Sequence, residues 1–252
     1  MKPKHKNIIS NIIYFFLISG FIFTPLYAQS LSTKSKSKNI KIFIEYKLAK
    51  DKLLDNNNIE INISDKTVTL SGSVQSISER NEALKDAKNE AQGYNISNEL
   101  KITETKITSE EIVKNVLDRI RNNAFYGIFD WVDASDSNGV VYLTGWVHVP
   151  WYKEWFQKEV EKVAGVQEIK NEIHYTFGPG EVGYRAARLI YSDPSYEGMQ
   201  YMANPPIHII VNNGSIILEG KARSDSESGW IETLLRFNTN AFDVRNNLAV
   251  KS

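Results

Sequence analysis

Apolar residues recur along most of this chain in two rhythms, and the rhythms succeed one another in a fixed order. Every-second-residue alternation marks Ile59-Glu-Ile-Asn-Ile63 and Ile207-His-Ile-Ile-Val211, the pattern of a strand with one buried face. Each such stretch runs into a turn pair, Asp65-Lys66, Asn138-Gly139 or Asn213-Gly214. Asn-Gly between alternating stretches predicts a tight hairpin, because both central residues must take positive φ. A second strand follows, and then the spacing lengthens to that of a helix. Ala83, Ala87 and Ala91 share one helical face, as do Phe156, Val160 and Ala164. Two of these helices open on Ser-x-x-Glu, at Ser76 to Glu79 and Ser224 to Glu227. There the Ser oxygen and Glu carboxylate can satisfy backbone N–H groups that lack helical partners. A third strand closes the pattern, and an amphipathic helix opens it, clearest in Ile112, Val116, Leu117 and Ile120.

The second strand is the most repetitive feature. Thr67-Val-Thr-Leu-Ser-Gly-Ser-Val74, Val140-Val-Tyr-Leu-Thr-Gly-Trp-Val147 and Ser215-Ile-Ile-Leu-Glu-Gly-Lys-Ala222 align on Gly72, Gly145 and Gly220. Beyond each glycine an Asn falls at the same distance, at Asn98, Asn171 and Asn246. The flanking apolar positions match as well: Ile96, Leu100 and Ile102; Ile169, Ile173 and Tyr175; Val244, Leu248 and Val250. Such periodicity is the signature of a repeated structural unit. The expected fold class is α+β, with three tandem αββαβ modules. In each, two helices cover one face of a three-stranded mixed sheet, whose last two strands are parallel through a right-handed crossover. A glycine inside a strand suggests a bulge or a close backbone approach. The boundaries are 39–104 for the first repeat, 109–176 for the second and 181–252 for the third, which carries an insertion at 193–206.

Ahead of the repeats, Lys2, Lys4 and Lys6 precede an apolar run from Ile8 to Phe23, and the segment ends Leu26-Tyr27-Ala28-Gln29. A basic start, an apolar centre and a small residue at the cut describe a cleavable secretory signal peptide over residues 1–28; an uncleaved anchor is the alternative. Residues 29–38, QSLSTKSKSK, read as a flexible linker.

This arrangement resembles the BON domain, found in bacterial osmotically induced and nodulation-type proteins. The strand-Gly segment, the helix and the closing Asn strand carry the resemblance. Gly165-Val166 matches the family's Gly-Val before the last strand, while Gly93-Tyr94 is displaced by one and Ala241-Phe242 departs from it. The resemblance implies a periplasmic, non-enzymatic protein linked to envelope integrity and osmotic stress. Some such proteins bind anionic phospholipid.

Composition adds limits. Lys plus Arg and Asp plus Glu number 30 each, and there is no Cys. Removing residues 1–28 takes away Lys2, Lys4 and Lys6 and no acid, leaving a net charge of −3. A nucleic-acid binder normally carries a basic excess, so none is expected. Without Cys there is no disulfide, thiolate nucleophile or lipidated cysteine. His148, His174 and His208 stand apart, outside any metal-binding spacing. Gly178-Pro179-Gly180 lacks the rest of a phosphate loop, and no nucleophile motif accompanies the scattered carboxylates. No cofactor, metal or catalytic group is expected.

The informative departure lies in the second repeat. Where the other copies have the polar helix entrance, it has Val149-Pro150-Trp151-Tyr152, with Pro150 suited to a first helical position. Tyr152, Phe156, Val160 and Val163 form a core-facing stripe. Trp151, Trp155, Lys158 and Lys162 form another, turned away from it. Indoles sit well at headgroup depth, and Lys stems can lie along apolar surface while their ammonium groups reach phosphate. Trp151, Tyr152, Trp155, Lys158 and Lys162 are therefore the candidate site, for an anionic phospholipid surface or for an envelope protein. Residues 109–176 hold eleven acids against seven bases, so any attraction to anionic lipid must be local. The competing reading is packing: Trp155 corresponds to Trp230, and Phe125, Tyr126, Phe129, Trp131 and Trp146 could form an aromatic core or an inter-domain contact. Tyr196, Met199, Tyr201 and Met202 in the insertion offer a second adhesive surface, or a cap on the third sheet.

Overall fold

The computed structural model describes residues 24–51, 57–103 and 107–250. The chain is α+β, with six α-helices and three mixed sheets among the described residues. In chain order, α1 (Thr24–Lys50) precedes the hairpin β1 (Asn58–Ser64) and β2 (Thr67–Val74), then α2 (Ile77–Glu90) and β3 (Asn95–Ile102). Next come α3 (Ser109–Arg121), β4 (Trp131–Ser137), β5 (Val140–Val147), α4 (Tyr152–Val160), β6 (Glu168–Asn171) and β7 (His174–Tyr175). The last stretch holds α5 (Gly180–Tyr191), a short 3-10 turn (Met199–Tyr201), β8 (Ile207–Asn212), β9 (Ser215–Ala222), α6 (Asp225–Asn238), β10 (Val244–Asn246) and β11 (Ala249–Val250).

Each sheet is built the same way. An antiparallel hairpin joins the first and second strands, and the second strand pairs in parallel with the closing one. The glycine-bearing strand is therefore central in all three. The hairpin turns take the positive φ expected of them: 47° and 61° at Asp65 and Lys66, 54° and 81° at Asn138 and Gly139, 50° and 77° at Asn213 and Gly214.

The repeated glycines are explained by one geometric fact. Gly72, Gly145 and Gly220 have φ of 105°, 116° and 109°, where L side chains are strained. A Cβ at each would lie well inside 3.0 Å of a backbone carbonyl oxygen, that of Asn58, Trp131 or Pro206 respectively. The first strand thus crosses its partner where no side chain fits. The repeated Asn is explained too. Asn98, Asn171 and Asn246 accept hydrogen bonds through Oδ1 from the N–H two residues on, at 3.0, 3.2 and 3.1 Å. In the second and third sheets the Asn Nδ2 also donates to the crossover helix, to Lys153 O at 3.0 Å and Ser228 O at 3.1 Å. There the closing strand breaks just after the Asn, and this bond ties the break to the helix.

Three apolar cores lie between sheet and helices. Ile40, Ile44 and Leu48 of α1 with Ala83 and Ala87 of α2 cover the first sheet. Ile112, Val116 and Ile120 of α3 with Phe156 and Val160 of α4 cover the second. Ala186 and Ile190 of α5 with Ile231 and Leu235 of α6 cover the third. Full burial of one of these Ile, Leu, Val or Phe side chains contributes roughly 1.5–3 kcal/mol. The two Ser caps form as expected, with Ser76 and Ser224 each accepting from the N–H three residues on at 3.2 Å. Their Glu partners reach one residue further back, to the N–H of Gln75 and of Arg223.

Two expectations about the N-terminal region meet different outcomes. The basic start and apolar run of the expected signal peptide lie outside the described residues. The stretch 29–38, expected to be a flexible linker, instead lies inside α1, which also takes in the expected cut after Ala28. Its Lys and Ser residues include no Gly or Pro, so they extend a helix that Ile40, Ile44 and Leu48 anchor on the sheet. Pro25 sits in the first turn, where its missing N–H costs nothing. No helix among the described residues is long and apolar enough to cross a membrane.

Replacing Gly145 with Ala is expected to destabilise the protein by about 3 kcal/mol or more, since a strained φ and a backbone clash add. Ala at Gly93, also at positive φ but with open space around it, should cost about 1–2 kcal/mol from backbone strain alone. Urea denaturation of the two variants checks this; equal losses would refute the clash.

Candidate functional site

The site grows out of the short loop between α3 and β4. Asn123 organises it: its Oδ1 accepts from Phe125 N at 3.0 Å, and its carbonyl accepts from Tyr126 N at 3.0 Å. The chain then turns again, with Asp130 N donating to Gly127 O and Gly127 N donating to Asp130 Oδ2, both at 3.1 Å. These turns send successive side chains in opposite directions. Phe125 points to the surface, 40% exposed, while Tyr126 is buried against Phe156 with ring centroids 6.0 Å apart. The Tyr126 hydroxyl accepts from Val132 N at 3.3 Å, and burial pushes its pKa up to about 12, so it stays neutral.

Across from Phe125 lies the altered helix entrance. Lacking a Ser, α4 has no side-chain cap and spans 9 residues, where α2 and α6 each span 14. Helix proper begins at Tyr152 and ends at Val160, so Pro150 and Trp151 occupy the preceding turn and Lys162 the following one. The expected four-residue stripe on one helix is corrected accordingly. Only Trp155 and Lys158 of it are helical, because the chain tightens after Val160 toward Gly165, at φ 84°.

The structure nevertheless gathers the aromatic members. The Phe125 ring stands edge-on to Trp151 at 5.0 Å and to Trp155 at 5.3 Å, and the two indoles meet edge-on at 6.1 Å. Tyr152 closes the group, 4.6 Å from Trp151 and 5.7 Å from the buried Phe156. Trp151 and Trp155 remain 47% and 38% exposed. The indoles are therefore neither sealed in the core nor isolated; they form a surface patch rooted in the core through Tyr152. Burial and the nearby Asp130 raise the Tyr152 pKa, so the patch carries no phenolate. Lys158 is exposed and makes no hydrogen bond or ion pair with the described residues. Lys162 is engaged: its ammonium meets Glu159, which also takes Arg119 at 3.1 Å, and these two cations hold the Glu159 carboxyl below its ordinary range against the opposing effect of burial, the largest single influence on it.

Phe125 is the member that the helical wheel could not place, since it comes from another element. The remaining candidates scatter. In the insertion Tyr196 is buried beside Tyr191, whereas Met199, Tyr201 and Met202 are exposed. On α1 a second apolar stripe, Ile42, Phe43 and Tyr46, faces solvent opposite Ile40, Ile44 and Leu48. Its spacing was visible in the sequence as apolar residues on both faces of one helix.

Two of the described histidines, His148 and His174, brace the fold. Asp130, fully buried, accepts at Oδ1 from the backbone N–H of His148 at 3.0 Å and meets its Nδ1 at 2.9 Å. Its other oxygen is spent on Gly127, so this pair braces a loop rather than polarising a nucleophile. His174 stacks on Trp146 at 5.0 Å. Asp51, Glu82 and Asp86 bring one carboxylate oxygen each within 4.8 Å of one another. Burial, and then the neighbouring Glu82 and Asp51 carboxylates, raise the Asp86 pKa.

An aromatic patch on the surface of an α+β scaffold is thus the feature that sets the second sheet apart. Residues 43–104 and 109–176 match the BON domain, together more than half of the chain. The chain belongs to the BON-domain family, whose members are in general non-enzymatic and typically periplasmic and envelope-associated. No curated protein matches it. Among solved structures it is similar to two of CdsD, a structural protein of the type III secretion system of Chlamydia trachomatis. The C-terminal domain shares 12% identity at a TM-score of 0.25, covering 83% of this chain and 96% of that one. The second shares 13% identity at a TM-score of 0.24, covering 84% and 92%.

If the patch is a cooperative cluster, a double-mutant cycle of Phe125→Ala and Trp155→Ala should return a coupling of roughly 0.5–1.5 kcal/mol, the range for edge-to-face ring pairs. Additive losses in thermal denaturation would show that the rings stand independently.

Proposed function

We propose that this chain is an exported, non-enzymatic protein of the periplasm. In this reading its third sheet is a divergent BON-type repeat, and the protein docks on anionic phospholipid at a membrane surface to support envelope integrity under osmotic stress. The observation that carries it is the exposed ring cluster of Phe125, Trp151 and Trp155 with Tyr152 at its base and the unpaired Lys158 beside it. Amphipathic rings at a surface suit the headgroup layer, and an unpaired Lys near an anionic surface adds about 1 kcal/mol. Lys162, already paired with Glu159, adds less. The topology of the third sheet, its Gly220 and its Asn246 bonding support a third repeat; its helix α6 is capped like α2.

The engaged Lys162 and the acidic excess over residues 109–176 favour a second reading, in which the same rings hold an envelope protein. The two separate cleanly. Lipid docking predicts that the chain from Gln29 onward floats with phosphatidylglycerol vesicles and not with phosphatidylcholine ones, and that Trp151→Ala with Trp155→Ala abolishes flotation. Flotation unchanged in the double variant rejects the site. No flotation with either lipid, but a saturable periplasmic partner lost in the same variant, transfers the site to the second reading.

A further inference from the structure

The second and third sheets meet through the loop between α3 and β4, which gives Tyr126 to the second core and Ile128 and Phe129 to the third. On β8, Ile207 and Ile209 face the third core, so His208 and Ile210 face the other way, toward what would be the open side of the sheet. Yet both are fully buried. The loop between α3 and β4 covers His208: Ile209 N donates to Ile128 O at 2.7 Å, and His208 Nδ1 meets Gly127 O at 3.0 Å. The rings of Tyr126 and Trp131 each stand 5.2 Å from the His208 imidazole.

Since Gly127 O can only accept, Nδ1 carries the imidazole proton and Nε2 is left bare. That atom is buried with no hydrogen-bond partner. A proton added there would make a buried N–H with no acceptor in hydrogen-bonding geometry, and a buried charge that the Gly127 carbonyl and the Asp130 carboxylate and backbone offset only in part. The ring that could best receive a cation, Trp131, already has the Arg121 guanidinium 4.6 Å from its centre.

We infer that this contact is an acid-released joint, closed while His208 is neutral and opened when the imidazole takes a proton. The charged and titratable groups around it act in both directions, and burial outweighs those that favour the cation. Arg121 from α3 opposes a second cation. Asp130 favours one, but its oxygens are committed to Gly127 and His148. Tyr126 stays neutral across the range. Glu219, opposite His208 on β9, is bound to Asn247 at 2.7 Å, and burial, with Asp133 nearby, raises its pKa. Acid therefore removes its charge rather than preserving a counter-ion.

The sign follows from burial. Desolvation, the largest influence, lowers the His208 pKa from 6.5 to about 4 in the closed contact. Exposed by opening, the ring returns toward its ordinary value. Closure is therefore undisturbed above pH 6.5 and weakens as pH falls from there toward 4, by up to about tenfold in the open-to-closed ratio per pH unit. Glu219, with its pKa raised, works in the opposite direction, but it is only half-buried and bonded at the rim. Release uncovers the His208 ring, the Trp131 ring against it and the Ile209 N–H.

Hydrogen exchange on the full chain between pH 7.5 and 4.5, corrected for the intrinsic pH dependence, tests this at Ile209 N–H. Its protection should fall by up to about tenfold per pH unit below 6.5, while amides of Ile61 and Leu70 in the first sheet keep theirs. In His208→Gln, whose amide can still donate to Gly127 O but does not titrate, the fall should vanish; in Glu219→Gln it should persist. A wild-type profile that is flat, that is unchanged in His208→Gln, or in which all amides lose protection together overturns the joint. A folding defect in His208→Gln would show at Ile61 and Leu70 already at pH 7.5, and the NMR titration of His208 in the wild type then decides. A pKa near 6.5 with Ile209 still protected refutes the inference, and one well below it with coincident loss of protection sustains it.

Discussion

The architecture depends on a crossing of two backbones. In each sheet the first strand of the hairpin brings a carbonyl onto the α-carbon of the central strand, at a point where a single methyl group would not fit. That approach sets how the hairpin twists, and twist determines which strand face the helices can cover. The central strand then has to satisfy neighbours on both sides, antiparallel on one and parallel on the other. The helix that connects the parallel pair is held down twice, by its apolar face and, in the second and third sheets, by the Asn that reaches back from the broken closing strand. Glycine and asparagine recur at one spacing because they solve two halves of a single geometric problem.

What the sequence made legible was what local chemistry decides. The three hairpins were readable from Asp65-Lys66, Asn138-Gly139 and Asn213-Gly214, because positive φ excludes most alternatives. The capped helices were readable from Ser76 and Ser224. The second repeat's unusual entrance was readable as an absence of that cap, and the short, uncapped α4 is its consequence. Aromatic residues took over an end that no hydroxyl organises, and Tyr152 anchors it by packing where a serine would anchor it by hydrogen bonding.

Less was legible where the answer depends on elements distant in sequence. Phe125 completes the ring cluster from another loop, and no periodicity of α4 could announce it. Lys162 has the right residue type and a plausible spacing, but Glu159 and Arg119 had already claimed its surroundings. The linker reading failed for a related reason. Composition alone makes QSLSTKSKSK polar and pliant, but helix formation is cooperative, and three anchored residues downstream suffice to extend it. His208 looked like any histidine in an alternating strand; only the covering loop turns its unremarkable position into a buried one.

That loop is the most economical part of the molecule. Within seven residues it gives Phe125 to the surface patch, Tyr126 to the second core, the carbonyls of Gly127 and Ile128 to β8, Phe129 to the third core, Asp130 to His148, and Trp131 to the face of His208. Because side chains alternate direction along an extended or tightly turned backbone, neighbouring residues of one short segment can serve surfaces that face opposite ways. The backbone between them is then shared. Phe125 and Trp131 are fixed by the same pair of Asn123 and Asp130 turns, so the aromatic patch and the contact that joins two sheets are set by one set of hydrogen bonds. A substitution that loosened Asp130 would disturb both, whereas one at Trp151 would disturb only the first.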